Sequence, residues 1–422
     1  RKNSGAGIYM IQNKFNVPAV IGTFLQWDMT AYWDNEKWLS EFCSLKEAGI
    51  EYVILTNCST TKDDVTKTIY PTKIRGFQME NIPNDIVKMC LSNAQYLGIK
   101  VFLGIHFNEL WWSNYAKNPD WLYAQMEMGN LVIDELYNRY YDQYSRAFYG
   151  WYWVFEVDNV NFTTQKDFSV LSNAINMNLR QMKKDKKRLP FLMSPYMNNI
   201  VNYPDIYAKN WGFLFQHTHF EDGDIFCPQD SVGAGGLNLE DLELWFKALG
   251  NAVLTKKGLK FWANAENFIG ENWSSALLNR FIQQLTIEKK YCEQIITFAY
   301  SHYYSPNNIN PGFHKTYINY IKNGALETIR PTVPATITVQ KISVNKTLIF
   351  WTPSEDNIGI CGYHLYKNGN LIFTTQAERK YGGSGLDAQT SYTDTANNLF
   401  VLKKNTYQVQ AFDFAGNLSD LS

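Results

Sequence analysis

Three carboxylates close short apolar runs: Glu156 in GWYWVFEVDN, Glu266 in KFWANAENF and Asp230 in FCPQDSVGAGG. Two carboxyl groups flanking one bond are what hydrolysis of a glycosidic acetal requires. One protonates the leaving oxygen, and the other acts as base or nucleophile across the ring. Glu156 and Glu266 are the first candidates for that pair. Asp230 is the third, with an alternative role: lying after Pro228-Gln229 and before Gly233-Ala234-Gly235-Gly236, it could orient a loop through Asx-turn bonds.

Groups so far apart in sequence need a fold that returns strand after strand to one rim. Up to about residue 325, apolar runs alternate with amphipathic stretches, the pattern of parallel strands joined by helical crossovers. Eight runs read as strands: Ala19–Trp27, Glu51–Asn57, Lys100–Phe107, Gly150–Asp158, Pro190–Tyr196, Asp224–Asp230, Lys260–Asn267 and Gln294–Tyr303. Between them, helices are expected over Asp34–Ala48, Asp85–Leu97, Leu131–Phe148, Lys166–Lys184, Leu239–Thr255 and Ser274–Tyr291. Eight β/α units close a barrel whose active site lies at the C-terminal strand ends. The expectation is an α/β chain, a (β/α)8 TIM barrel over 1–329, followed by an all-β immunoglobulin-like sandwich over 330–422 after the Pro-rich Arg330–Pro334.

Residues two apart share a strand face. In the fourth strand this groups Tyr152, Val154, Glu156 and Asp158 inside, with Trp151, Trp153 and Phe155 under the helices. In the seventh it groups Trp262, Asn264 and Glu266 inside, with Phe261, Ala263 and Ala265 outside. The same strand-end logic nominates Gln26, Trp27, His106, Asn108, Trp111, Trp112, Asp158, Tyr196, Gln229, Asn264, His302 and Tyr303 as substrate-binding residues. The adjacent Trp111 and Trp112 cannot both face the core, so one is a candidate stacking platform. GAGG lacks the GxGxxG spacing and the following Lys-Ser/Thr of a phosphate cradle and reads as a mobile loop beside the cleft.

Composition bounds the partners. A net charge of −1 gives no reason to expect nucleic acid, and aromatic residues make up 16% of the chain, as suits the apolar faces of sugar rings. No apolar stretch reaches membrane-span length. The six cysteines form no CxxC or Cys/His cluster, so no metal or cofactor is expected. The pair His217 and His219 would suit metal-dependent deacetylation only with a third ligand. A start at Arg1-Lys2-Asn3-Ser4 reads as a mature form, giving the expectation of a secreted or cell-surface bacterial monomer acting on carbohydrate, cell-surface or matrix glycans included.

After Ile329, Leu348–Gly369, Tyr392–Thr395 and Thr406–Ser419 resemble the fibronectin type III modules attached to bacterial polysaccharide-degrading enzymes. That likeness implies Trp351 in the core and Tyr407 as the corner tyrosine. In the barrel, GTFLQW (Gly22–Trp27), GWYWVFEVDN, SPYM (Ser194–Met197), QDSVGAGG (Gln229–Gly236) and WANAENF (Trp262–Phe268) resemble a family of uncharacterised exported bacterial barrels related to glycoside hydrolases and catalogued as a domain of unknown function. Glutamates ending strands four and seven are also the arrangement of the large clan of retaining barrel glycosidases. That resemblance implies Glu156 as acid/base and Glu266 as nucleophile. The clan carries Asn-Glu on strand four where this chain reads Phe155-Glu156. Together these likenesses imply a glycoside hydrolase; a non-catalytic carbohydrate-binding barrel is the second reading.

Overall fold

In a computed structural model, residues 10–114, 118–201, 203–377, 387–395 and 405–422 are described. Arg1–Ser4, on which the reading of a mature start rests, lies outside them. The chain forms two compact units, one built from residues 18–274 and 281–301, the other from 11–17, 275–280 and 302–422.

The first unit is a closed barrel of eight parallel strands: β1 (Gly22–Leu25), β2 (Tyr52–Lys62), β3 (Lys100–Asn108), β4 (Phe148–Trp153), β5 (Phe191–Met193), β6 (Ile225–Phe226), β7 (Lys260–Glu266) and β8 (Gln294–Phe298). Each pairs with the next, and β8 returns to β1 through Gly22↔Ile296. Every strand sends a side chain inward: Phe24, Ile54, Phe102, Tyr152, Leu192, Ile225, Trp262 and Ile296 form one buried cluster. At about 1.5–3 kcal/mol for each large apolar side chain buried, this plug holds the strand ends in fixed register. Outward residues of β4 pack under helices as parity requires, Trp153 Nε1 donating to Asn178 Oδ1 at 3.2 Å and Trp151 Nε1 to the Lys187 carbonyl at 3.1 Å.

Several ladders stop earlier than the apolar runs. β4 ends at Trp153 and β6 at Phe226, so Glu156 and Asp230 stand on the loops above the barrel. β8 ends at Phe298, and Tyr300–Tyr303 forms a helical turn instead of strand. β2 runs further than expected and pairs with Val65–Thr68.

Helix starts follow local capping chemistry. Asp34 accepts from Lys37 N–H, Asp85 from Lys88 N–H, and Thr164 forms a capping box with Asp167. Gly98 at φ 70° ends the second of these helices in the left-handed region that suits glycine. The expected helix Leu131–Phe148 is instead Pro119–Tyr144, because Asn118 caps it and Pro119 fits its first turn. The helix Pro204–His217 has no counterpart among the expected ones, and Ser274–Tyr291 contracts to Leu278–Glu288.

The second unit contains two three-stranded antiparallel sheets among the described residues, Ile337–Ser343, Lys346–Trp351 and Ser391–Asp394 in one, Ile360–Lys367, Asn370–Gln376 and Tyr407–Asp413 in the other. This is a fibronectin type III-like sandwich. Ile349, Trp351, Tyr363, Leu365, Val409 and Ala411 make its core, as expected of Trp351. Tyr407 differs from the expected corner, its hydroxyl donating to the Asp394 carboxylate at 2.7 Å. Residues 302–329, grouped with the barrel on sequence, fall in this unit. Phe313 of the helix Pro311–Asn323 meets Phe414 edge to face at 4.8 Å. Of six unbridged cysteines, five are buried and Cys43 is partly so.

Candidate active site

Glu156 stands just past β4 on a loop held from below. Trp111, fully buried and stacked on Phe162, donates its Nε1–H to the Glu156 carbonyl at 2.9 Å. The half-buried carboxylate accepts from Gln229 Nε2 at 2.8 Å, and the same amide donates to the Ser194 carbonyl at 3.0 Å. Gln229 therefore ties the loops above β4, β5 and β6 together. Desolvation, opposed by the Gln229 hydrogen bond and aided by the charge of Asp158, lifts the Glu156 carboxyl to about 7. Near neutrality it holds its proton about half the time, the property wanted of a general acid.

Glu266 is the last residue of β7 and only 2% exposed. Its Oε2 accepts the Ala234 N–H at 2.6 Å, a short charge-assisted bond. The neighbouring Gly233 makes this possible by having no side chain. A Cβ there would lie 2.8 Å from Glu266 Cβ and 2.7 Å from the Phe268 carbonyl oxygen. The glycine-rich segment is thus a tied turn rather than the mobile loop expected from composition. Gly236 N–H and Leu237 N–H both donate to the Ser231 carbonyl, at 2.8 and 3.1 Å. Its last glycine lies against the Tyr196 hydroxyl and the Met197 carbonyl, where no side chain would fit.

Tyr196 feels the charge of both glutamates. Burial together with the charges of Glu266, Glu156, Asp158 and Asp230 keeps its phenol protonated well into the alkaline range. Asn264, between Trp262 and Glu266 on the inner face, is bridged to Gln229 and donates Nδ2–H to Ser194 Oγ at 3.2 Å. Its buried Oδ1 has no protein partner among the described residues. Gln26 and Trp27 sit half-buried past β1, Trp27 N–H donating to Thr56 Oγ1 at 3.3 Å.

Asp230 is placed as the loop-orienting alternative describes. It is fully buried, its Oδ1 accepting the N–H groups of Val232 at 3.1 Å and Glu266 at 3.2 Å, and its Oδ2 the Gln284 amide at 2.5 Å. A second buried carboxyl, Glu288, lies against it. Burial and the Asp230 charge push Glu288 far above the usual carboxylate range, which favours its protonated form. Sequence reasoning missed Gln284 and Glu288. Their signal was a pair of polar residues inside the buried stripe Phe281, Gln284, Leu285, Glu288, the i, i+3, i+4, i+7 face of a helix.

Five further candidates are buried. His106 is buried, with Nδ1 on Ser59 Oγ at 3.0 Å and Nε2 on Gln125 Oε1 at 3.1 Å; desolvation lowers it to about 4, so it stays neutral. Asn108 donates to the same Gln125 oxygen and accepts from Leu110 N–H. Asp158 forms an Asx turn, its Oδ1 accepting from Val160 and Asn161 N–H at 2.8 and 2.7 Å. His302 and Tyr303 are 4% and 2% exposed and belong to the second unit. Of the tryptophan pair, Trp111 is buried while Trp112 is 52% exposed and leans on Phe107.

Residues 20–310 match the family described as "Domain of unknown function (DUF4434)". The chain belongs to that family. The DUF4434 barrel shares its fold with a solved protein of Bacteroides thetaiotaomicron, provisionally described as an alpha-L-fucosidase, at TM-score 0.60 and 21% identity over 76% of this chain and 98% of that one. The C-terminal region is similar to parts of chitinase Chi52 of Paenibacillus xylanexedens, 34% identical over 96 residues, 23% of this chain and 16% of that protein. It is similar in the same way to an alpha-amylase of Niallia circulans, 34% identical over 96 residues and 6% of that protein. The chain therefore covers only a small part of the curated relatives it matches. Among the described residues no helix is long and apolar enough to cross a membrane.

Proposed function

We propose that the DUF4434 barrel hydrolyses glycosidic bonds, with Glu156 donating the proton to the leaving oxygen and Glu266 acting on the sugar as nucleophile or base. The observation that carries this reading is the contrast between the two carboxyls. Glu156 sits in a desolvating niche that lifts it to about 7, while Glu266 receives a backbone N–H at 2.6 Å that binds its anionic form. Carboxyls with opposite surroundings, both felt by the Tyr196 hydroxyl, divide the acid and anion roles as retaining and inverting hydrolysis alike require. Gln229, Asn264 and Tyr196 supply polar edges for sugar hydroxyls, and exposed Trp112 supplies a ring face. The fibronectin type III-like unit, which the chain has in common with parts of bacterial chitinases, is consistent with an exported enzyme working on a polymer.

Incubation of the full chain with polysaccharides and aryl-glycosides, beside its Glu156→Gln and Glu266→Gln variants, tests the reading. Wild type should release reducing sugar or aglycone and both variants should not. Sugar binding without cleavage by wild type would replace the enzyme with a carbohydrate-binding barrel. Cleavage by either variant at the wild-type rate would remove that residue from the chemistry.

A further inference from the structure

The loop after β7 carries an aromatic residue that none of the roles above uses. Trp273 is 57% exposed and has a backbone φ of 55°, the left-handed region. Exposing a tryptophan and holding a non-glycine residue left-handed both oppose folding. Where local choices contradict stability in this way, function is the usual reason.

Its position is fixed by stacking. Trp262, Asn264 and Glu266 share the inner face of β7, and Phe268 continues their line, meeting at 6.0 Å the ring of Phe298, which packs on the barrel interior. Trp273 stacks on Phe268 with ring centroids 5.5 Å apart and planes at 20°. Trp273 therefore stacks on the ring two residues beyond Glu266. The loop is also tied to the turn that binds Glu266, since Gly270 N–H donates to the Gly233 carbonyl at 2.7 Å. Asn272 Oδ1 closes the bend beside Trp273 by accepting Ser274 N–H at 3.1 Å and Oγ–H at 2.6 Å.

An indole stacked on Phe268 and 57% exposed presents an apolar ring with a polar N–H edge, which matches the C–H face and hydroxyl rim of a pyranose. The carboxylates Glu266, Glu156, Asp158 and Asp230 all act on Tyr196 of the same site, which disfavours an anionic sugar. We propose that Trp273 is a stacking platform for a neutral pyranose unit of the substrate, bound on the Glu266 side of the cleaved bond. This rests on the glycosidase reading and adds to it a subsite and a substrate class.

Native affinity electrophoresis of the full chain through hydroxyethyl cellulose, galactomannan, soluble xylan or glycol chitin tests it, with Trp273→Ala and Trp273→Phe beside wild type. For the glycan that retards wild type, Trp273→Ala should bind about tenfold more weakly and Trp273→Phe within about threefold, since phenylalanine keeps a stacking face. On the cleaved polymer, the alanine variant should raise KM by about the same factor and leave kcat nearly unchanged, as loss of uniform binding does. Alanine binding within about twofold of wild type would overturn the proposal. So would equal loss in both variants with a lowered thermal transition, which is the behaviour of a structural residue. If wild type neither binds nor cleaves any of these glycans, the glycosidase reading fails and the platform with it; cleavage with an unaltered alanine variant refutes the platform alone.

Discussion

Glu156→Gln should make the protein more stable at neutral and alkaline pH, and by a calculable amount. The Glu156 carboxyl rises from an ordinary 4.5 to about 7 on folding. A folded-state value above the unfolded one means that the native chain binds the extra proton. Its contribution is fully present below about pH 4.5 and is lost as pH rises through about 7. A tenfold change in an ionisation constant corresponds to about 1.4 kcal/mol, so ionising the folded carboxylate costs about 3 kcal/mol near pH 8. Glutamine has the same shape, can still accept the Gln229 amide, and never ionises. The two proteins should then match near pH 4 and diverge with rising pH, the variant gaining about 3 kcal/mol, or about 5 °C in the barrel's melting transition. Thermal unfolding across pH, followed by tryptophan fluorescence, measures the difference, and every other titrating group cancels because both proteins carry it. Parallel melting curves at all pH values would refute the desolvated niche and with it the basis for assigning Glu156 as the acid.

Glu266→Gln should abolish cleavage while leaving circular dichroism and melting near neutrality close to wild type. Activity should fall above about pH 7 as Glu156 loses its proton, following its raised value; a rate still climbing into alkaline pH would exclude a carboxylic acid donor. Gly233→Ala should displace Glu266, whose Cβ would lie 2.8 Å from the added methyl, costing about 1–3 kcal/mol by overpacking and most of kcat. A variant with wild-type kcat would show that the turn does not set the carboxylate. Glu288→Gln should flatten the loss of stability as pH rises above the ordinary carboxylate range, because a raised carboxyl contributes below its unfolded value and loses that contribution on ionising; an unchanged pH slope in urea unfolding would remove the raised carboxyl.

Local signals are legible in the sequence. Asp34, Asp85 and Thr164 cap helices through bonds that span three residues, and period-two parity places Tyr152 and Trp262 inside the barrel with Trp151 and Trp153 outside. The helix Pro204–His217 escapes because Tyr203 offers no side-chain cap to announce it. Site residues escape for a different reason. Parity says which face of a strand a histidine takes, but not that Gln125, on a helix behind it, will occupy its ring nitrogen. The engagement of Asp230 likewise depends on Gln284, a residue 54 positions away. Trp273 belongs to no periodic pattern at all, since it sits in a bend and stacks on Phe268.

The unbridged thiols give the protein its own reporters of partial opening. Burial raises the pKa of Cys58, Cys90, Cys227, Cys292 and Cys361, so each is nearly inert to alkylating reagents until its surroundings come apart. They are well distributed. Cys58 lies on β2, Cys90 on the helix behind it, Cys227 just past β6, Cys292 just before β8, and Cys361 inside the sandwich. Mass-resolved labelling of the unaltered chain would therefore time the opening of separate barrel sectors and of the C-terminal unit in one experiment, with only partly buried Cys43 as an early background. Equal rates at all five buried thiols would mean that the whole chain opens as a single cooperative body, and staggered rates would rank its segments by their resistance to fluctuation.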